Sequence, residues 1–497
     1  MKITLNPNYM LKNDDGCVLL LGKRLLADDE SNDDSVMSAI HPFHAMILSF
    51  VNGDEYDDIL DKTSEQLQIS REKIKKFIDS LIENNKAIGP LYKNIQLGFP
   101  RNTIIKSDYK RPNPYKPTDF EYNYLDVRLK RHKTPSHAIL MITNKCATDC
   151  IYCYADKRYP VDCKIPFDRI KEIIAEAKNI GIVDFNLIGG EVFLYKQWKD
   201  LLKLYLDYGY NPALSVKYPL TEDDVKYLAD IKIPHIQISL DTVIPEHLKQ
   251  ILRVNDEYVN RIQKTFEYLE KYKIVTTVHT IINRKNSSTE DIVSIYEFLS
   301  KFNNIRYWFP EIVSSSMYLK DFDLYKAKIK NLKQMQDCVD KLKEMSSFNI
   351  INGLDKVEIQ ENITNAETQE HIDRMTKEWI NNKALCSGNF SGLYILPTGD
   401  VTICEELYWH PHFIIGNVLT QSLEEIWNSE KALSLFNIRP EDIPADSVCS
   451  SCKEFDECRS IKQICYRELI KAYGDDKWYY PDVNCPKAPK SMYNISY

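Results

Sequence analysis

No run of about 18 apolar residues, the length a membrane-spanning helix needs, occurs in the 497-residue chain. The amino-terminal stretch MKITLNPNYMLKNDDG also lacks the apolar core of a secretory signal. A cytoplasmic protein with no membrane partner is expected. A basic excess is missing too: 64 Lys and Arg stand against 72 Asp and Glu, a formal charge of −8, without the electrostatic footprint of a nucleic-acid binder. Cysteine, at 13 of 497 residues, is too sparse for a secreted disulfide framework, which runs at about 8% or more. What is present suffices for about three domains, since the length and the 43% hydrophobic content exclude a disordered tail or a small stapled scaffold.

The cysteines are informative by position. Cys146, Cys150 and Cys153 fall close together; Cys386, Cys404, Cys449, Cys452, Cys458, Cys465 and Cys485 lie in the carboxyl-terminal stretch; Cys17, Cys163 and Cys338 stand apart. In a reducing compartment such clusters point to metal ligation before disulfides.

Residues 1–95 read as a winged-helix-like module. Asn13-Asp14-Asp15-Gly16 supplies a hairpin turn before Val18-Leu19-Leu20-Leu21. Phe43, Ile47, Phe50 and Val51 share a helical face that stops at Asn52-Gly53, and a second helix covers Tyr56 to Leu67. Ser70 then caps a third, striped by Ile74, Phe77, Ile78, Leu81 and Ile82. Residues 96–137, with Pro100, Pro112, Pro114 and Pro117, suit an extended linker. Over 138–314, strands expected at about 138–142, 184–188, 212–217, 235–240, 274–282 and 305–309 alternate with helices at about 168–180, 196–208, 221–229, 257–271 and 288–301. Such alternation predicts an α/β region, a parallel sheet with helices outside, closed into a barrel or partial barrel. Residues 315–385 turn helical, with Tyr325, Ile329, Leu332, Val339 and Leu342 as a stripe, and 386–497 is a short-elemented region organised by inorganic staples.

Cys146-Ala-Thr-Asp-Cys150-Ile-Tyr-Cys153 directly follows the first of these strands, so its thiolates emerge at the carboxyl-terminal end of the sheet, where α/β barrels place active sites. Three thiolates at this spacing can wrap an iron–sulfur cube and leave one iron open. A zinc site short of one cysteine, or completed by histidine, is the alternative that spacing leaves. The pattern would arise by chance roughly 0.01 times at this cysteine content. It resembles the signature of the radical SAM superfamily, CxxxCxΦC, with Tyr152 at the aromatic position Φ. Ile188-Gly189-Gly190-Glu191, at the end of the second strand, resembles the superfamily's GGE motif, which implies that Gly189, Gly190 and Glu191 meet the amino group of S-adenosylmethionine. Ile238-Ser239-Leu240-Asp241 is similar to the SxD segment, and Arg253 lies where a carboxylate-binding arginine is usual. The resemblance therefore makes Tyr152, Ser239, Asp241 and Arg253 cofactor residues; a buried strand serine and a solvated arginine are the plain structural readings of Ser239 and Arg253. Thr277 to Ile282, followed by Asn286, resembles the strand that closes over adenine, while His279 reads equally as a satisfied core histidine.

Cys386-x12-Gly399-x4-Cys404, then Cys449-x2-Cys452-x5-Cys458-x6-Cys465 and Cys485, resembles the SPASM extension of radical SAM enzymes, as do Phe413-Ile-Ile-Gly-Asn417 and Leu423-Glu-Glu-Ile-Trp427. Alone, Cys449, Cys452, Cys458 and Cys485 would read equally as a zinc ribbon. The resemblance implies that Cys386, Cys404 and Cys465 hold the nearer of two auxiliary clusters and Cys449, Cys452, Cys458 and Cys485 the outer one, three 4Fe–4S clusters in all. The family usually places three residues before the last cysteine of this group, against six here. The nearer cluster then has three ligands, so either a fourth comes from elsewhere, such as Cys338, or an iron stays open to a substrate thiolate. Glu405 stands where sulfatase-maturing relatives keep a proton-accepting acid; a solvated Glu405-Glu406 pair is the bland alternative.

Ile40-His-Pro-Phe43, Val51-Asn-Gly-Asp54 and Ile69-Ser-Arg-Glu72 resemble the recognition element of ribosomal peptide maturases. The implied fold is α/β: a partial (β/α)6 radical SAM barrel with an N-terminal winged-helix-like domain and a C-terminal SPASM iron–sulfur domain. The implied activity is maturation of a ribosomally made precursor peptide whose leader adds a strand to the N-terminal domain. A thioether from cysteine thiols is the preferred product, with C–C crosslinking or sulfatase-type formylglycine formation as alternatives and a flavodoxin or ferredoxin as electron donor. A zinc-stabilised winged-helix regulator is the reading from a different class, opposed by the acidic charge.

Overall fold

The computed structural model describes residues 1–22, 37–89, 91–92, 95–96, 98–128, 130–158, 160–319, 321–356, 369–383, 386–459 and 464–495. It divides into two compact units, Met1–His137 with Lys178–Asp184, and Ala138–Ala177 with Phe185–Tyr497.

In the first unit Tyr9–Asp14 and Cys17–Gly22 form the expected hairpin, with Asp14 opposite Cys17. Gly16 in its turn takes φ +70°, a left-handed conformation that glycine adopts without a Cβ clash. Met37–Ile40 adds a third antiparallel strand against Cys17–Gly22. Helices Pro42–Ser49, Tyr56–Leu67 and Arg71–Leu81 follow in the expected order, and the last buries Ile74, Ile78 and Leu81. Ser70 occupies its N-cap position but makes no side-chain cap bond. His41 does cap its helix, Nδ1 accepting the Phe43 N–H at 3.0 Å. Asn52-Gly53, expected only to end a helix, lies in a short strand, Asn52–Glu55, antiparallel to Lys2–Leu5.

The described part of 96–137, expected as a linker, packs into this unit. Ile104–Lys106 pairs with Lys2–Leu5, and Phe99 and Phe120 lie in the core. The Tyr115 hydroxyl accepts the Leu11 N–H at 3.0 Å. The prolines do make the backbone irregular, but the aromatics between them anchor it, since burying one Phe contributes about 1.5–3 kcal/mol.

In the second unit all six expected strands are present. Ser215–Val216, His235–Ser239, Val275–Ile282 and Ile305–Ile312 run parallel in one sheet, which Asn349–Ile350 extends. His137–Met141 and Asp184–Ile188 belong to another sheet, continued by Gly392–Ile395, Asp400–Thr402 and Ile414–Asn417. The barrel is partial, its first strand being neighboured by hairpin strands from the cysteine-rich region. Helix Phe167–Asn179 buries Ile170, Ile173, Ile174 and Ala177, the i, i+3, i+4, i+7 stripe of an amphipathic helix on a sheet. Trp308 is fully buried and its indole N–H donates to Thr280 Oγ1 at 2.9 Å, so its polar atom is satisfied. Within 315–385, helices Leu332–Met345 and Gln369–Asn382 form. Leu332, Val339 and Leu342 are buried there, but Ile329 is 36% exposed, because it sits in a 3-10 turn ahead of the helix. Among the described residues no helix is long and apolar enough to cross a membrane.

Candidate active site

The cysteine loop leaves strand His137–Met141 and is held from two sides. From one side, the amides of Asp149 and Ile151 donate to the carbonyls of Leu252 and Ile251 at 3.0 and 2.9 Å, satisfying the last turn of helix Pro245–Leu252, an element the sequence did not announce. From the other side comes the Gly-Gly-Glu turn. Gly190 N–H donates to Thr143 O at 2.7 Å and Glu191 N–H to Lys145 O at 2.8 Å. Neither Gly189 nor Gly190 takes a positive φ; the demand is for space. A Cβ on Gly190 would lie 2.5 Å from the Lys145 carbonyl carbon and 2.6 Å from Asn144 O. Thr148 Oγ1 is 3.6 Å from Cys146 Sγ and 3.4 Å from Cys150 Sγ, so these thiols gather about one hydroxyl, and both act electrostatically on Cys153. Among the described residues no three side chains close on a single metal ion; the donor set, three thiols of one loop, is that of an iron–sulfur cluster with three protein ligands.

Glu191 is 2% exposed. Its carboxylate accepts the N–H groups of Phe193, Lys217 and Tyr218 at 3.4, 3.1 and 3.0 Å. Burial nevertheless pushes its pKa up to about 7. Glu191 thereby fixes Lys217, a residue the sequence reading missed. Lys217 Nζ donates to Tyr152 Oη at 2.6 Å and Asp241 Oδ2 at 2.9 Å, and stands 3.8 Å from Cys150 Sγ. Tyr152 Oη in turn donates to Asp241 Oδ2 at 2.6 Å, and Asp241 Oδ1 accepts the Ile281 N–H at 3.1 Å. With Asp241 fully buried and Lys217 13% exposed, this is an interior ion pair. Removing one partner of such a pair costs about 3–5 kcal/mol, because the other is left charged and unpaired.

Arg253 occupies the left-handed C-cap of Pro245–Leu252 (φ 55°) and is salt-bridged to Asp149 of the cysteine loop. It lines a cavity of about 750 Å³ with Cys150, Cys153, Lys157, Lys285 and Tyr318. Asp149 and Asp321 line it too, but Lys157, Arg158, Arg253 and Lys285 outnumber them, and that positive excess suits a carboxylate ligand. Ser239 is half-buried at the end of its strand, in register with His279 of the next strand. His279 pairs with Glu311 at 3.0 Å, whereas Asn286 is fully buried and its amide donates to Asp241 O and Ile281 O.

The carboxyl-terminal cysteines gather in two groups. Cys449, Cys452, Cys458 and Cys485 line one small cavity, with Trp379, Phe455 and Ile464 among its apolar walls. Cys386 acts electrostatically on both Cys404 and Cys465, whose pKa values burial pushes up to about 12 and about 11. A Cβ on Gly388 would lie 2.6 Å from Ile403 O and 3.5 Å from Cys386 Sγ, so a glycine there lets the Cys386 and Cys404 segments approach. Both thiol sets fit iron–sulfur ligation, and a metal would have to displace their protons. Cys338, on helix Leu332–Met345, is influenced by Lys341 and, among the described residues, by no other thiol.

Glu405 and Glu406 have different environments. Glu406 is buried and ion-paired to Arg467 and, at 3.3 Å, to Lys471. Glu405 is half-buried and acts on the phenols of Tyr154, Tyr394 and Tyr408, two of which Cys153 also influences. It thus stands between the first cysteine loop and Cys404, among tyrosines that sequence reasoning did not select. Tyr154, directly after Cys153, was the available signal.

Residues 140–299 match the radical SAM superfamily, and residues 386–453 match an iron–sulfur cluster-binding domain, SPASM. Among curated proteins, GTP 3′,8-cyclase of Clostridium perfringens is 28% identical over 155 residues, 29% of this chain and 47% of the cyclase. The chain thus spans about half the length of that relative. PqqA peptide cyclase of Rhizobium meliloti is 23% identical over 354 residues, 67% of this chain and 84% of the cyclase. Among solved structures, Streptococcus suis SuiB bound to precursor peptide SuiA is similar over 98% of this chain and 100% of SuiB, with a TM-score of 0.62 at 15% identity. SuiB bound to S-adenosylmethionine has the same TM-score. The likeness is one of fold.

Proposed function

The chain carries a radical SAM domain followed by a SPASM domain, and from that premise we propose that it crosslinks a ribosomally made precursor peptide, joining a cysteine thiol to a carbon of an acceptor residue as a thioether. The supporting observation is that the fold of nearly the whole chain, first unit included, is similar to that of a protein crystallised with its precursor peptide. Cys146, Cys150 and Cys153 would hold the cluster that binds S-adenosylmethionine, Cys386, Cys404 and Cys465 the nearer auxiliary cluster, and Cys449, Cys452, Cys458 and Cys485 the outer one. Loaded in this way, the three cysteine sets would supply the radical chemistry of S-adenosylmethionine, hydrogen-atom removal from a peptide carbon, together with a place for the one electron that C–S bond formation releases.

The chain's own residues orient and move protons. The Gly189-Gly190 turn and Glu191 hold the cysteine loop in register, and Arg253 offers its guanidinium to the cofactor's carboxylate. Glu405 accepts the thiol proton, so the product is lighter than the substrate by two hydrogens. In the first unit, Arg111 and Tyr115 already bond the backbone of Tyr9 and Leu11 on one outer strand. The opposite edge, Met37–Ile40, is the one we assign to the leader, which would add a strand there.

Anaerobic incubation of the reconstituted protein with reductant, S-adenosylmethionine and a cysteine-containing leader–core peptide should give a product two hydrogens lighter with one cysteine resistant to alkylation. Replacing Cys146, Cys150 and Cys153 by Ala should abolish 5′-deoxyadenosine; undiminished formation would overturn the cluster assignment. A lighter product whose cysteines all alkylate would instead indicate a crosslink without a thiol, the reading favoured by the match to a peptide cyclase.

A further inference from the structure

Directly after the short strand Ser215–Val216 comes Lys217, which contacts Glu191, Tyr152, Asp241 and one of the three loop cysteines, Cys150. The Lys217 N–H is held by Glu191 at 3.1 Å, and its carbonyl accepts the Tyr258 hydroxyl at 2.8 Å. The backbone of Lys217 is therefore fixed by the Gly-Gly-Glu carboxylate on one side and by helix Glu257–Lys271 on the other. Its side chain reaches Tyr152, Asp241 and Cys150 at 2.6, 2.9 and 3.8 Å. A lysine serving only to neutralise Asp241 would have no need of the third contact.

The charges are also ordered. Asp241 turns Oδ2 to Tyr152 and Lys217 and Oδ1 to the Ile281 amide. The ammonium lies against the Cys150 sulfur. The pair is neutral as a whole but presents its positive end to the Cys150 sulfur, in an interior where charge is weakly screened. A hydrogen bond and a positive charge at a cluster thiolate both favour the reduced cluster, which carries one more negative charge.

We propose that Lys217 is a positioning residue of the radical-generating centre, holding Tyr152 in place and raising the reduction potential of the cluster on Cys146, Cys150 and Cys153 through its contact with Cys150. This rests on the reading that those cysteines hold a cluster. The Asp241 carboxylate, bonded directly to the Tyr152 hydroxyl at 2.6 Å, acts through its own charge with the opposite sign.

The test uses the full-length reconstituted protein and the electron paramagnetic resonance signal that changes on adding S-adenosylmethionine, which separates this cluster from the auxiliary ones. At a fixed ambient potential, Lys217→Met should lower the ratio of reduced to oxidised cluster about tenfold, 59 mV for a one-electron couple. Asp241→Asn should raise it, Lys217→Arg should keep it close to wild type, and the double variant Lys217→Met/Asp241→Asn should return towards it. The double variant leaves no unpaired interior charge, so it keeps the test open if Lys217→Met folds poorly. A structural pair alone would lower the melting temperature of the single variants and leave the potential where it was. Equal potentials in wild type, Asp241→Asn and the double variant would overturn the proposal. A wild type with no signal responsive to S-adenosylmethionine would overturn the cluster reading instead.

Discussion

Gly190→Ala should detach the Gly-Gly-Glu turn from the cysteine loop while leaving both chain segments otherwise intact. The added Cβ would lie 2.5 Å from the Lys145 carbonyl carbon and 2.6 Å from Asn144 O. These are backbone atoms, with no rotamer to relieve the clash, so the turn and the cysteine loop must part by about 1 Å to reach ordinary contact. Overpacking of this kind costs about 1–3 kcal/mol. The same movement breaks the bonds from Gly190 N–H to Thr143 O and from Glu191 N–H to Lys145 O, at 2.7 and 2.8 Å, worth about 1 kcal/mol each. A total of about 3–5 kcal/mol is large for a local opening. Hydrogen exchange at the amides of residues 190 and 191 should accelerate by about 100-fold or more, and affinity for S-adenosylmethionine should fall with it. Gly189→Ala is the internal control, since its Cβ meets only Thr143 O at 3.0 Å and its other neighbours at 3.5 Å; about 1 kcal/mol is expected there. Equal exchange protection and equal affinity in the two variants would show that close approach is not what the second glycine provides.

Further predictions concern protons and iron. Burial lifts Glu191 from 4.5 to about 7; the folded chain keeps this proton after the unfolded chain has lost it, so stability falls as pH rises through that window, by on the order of 3 kcal/mol. In the apoprotein, Glu191→Gln should abolish that component of the pH dependence of the melting temperature; identical profiles would refute it. His44 runs the other way: stacked on Phe77 at 4.7 Å and lowered by burial from 6.5 to about 4, it must be protonated on unfolding in acid. The first unit should therefore lose on the order of 2–3 kcal/mol between pH 6.5 and 4, and His44→Phe should preserve exchange protection there. Cys465→Ala should lose the iron of one auxiliary cluster, whereas Cys338→Ala should retain the full iron and sulfide content, as the separation of Cys338 from the other thiols requires.

The parts of the molecule legible in sequence were those set by local periodicity. The helix expected at about 168–180 and the alternating strands of 138–314 need only near neighbours to be read, and the structure forms them. Residues 96–137 misled because prolines report backbone irregularity while burial of Phe99 and Phe120 depends on partners far along the chain. Lys217 was hidden for the same reason. At the end of the strand expected at about 212–217, nothing local marks this lysine, and it is the assembled barrel that encloses it with Asp241 and Tyr152. Glu405 and Glu406 could not be told apart until Arg467 and Lys471 were seen to engage one of them.

The unusual spacing before Cys465 has a physical resolution in that same ion-pair network. Cys465 is the N-cap residue of helix Tyr466–Tyr473, whose first turn donates the N–H groups of Glu468 and Leu469 to its carbonyl at 3.1 and 3.2 Å. From the same helix, Arg467 in the first turn and Lys471 in the next hold Glu406, two residues beyond Cys404, and Lys471 also pairs with Glu468 at 3.0 Å. The Tyr466 ring packs on Phe413 at 4.9 Å. The register of Cys465 against Cys404 is thus set by the helix and its partners, because a rigid helix carries its first residue wherever its side chains dock. The count of residues back to Cys458 then matters little, as loop length enters the closure cost only logarithmically. A family pattern defined by spacing and a site defined by side-chain docking can therefore diverge at this cysteine without moving its sulfur away from Cys386.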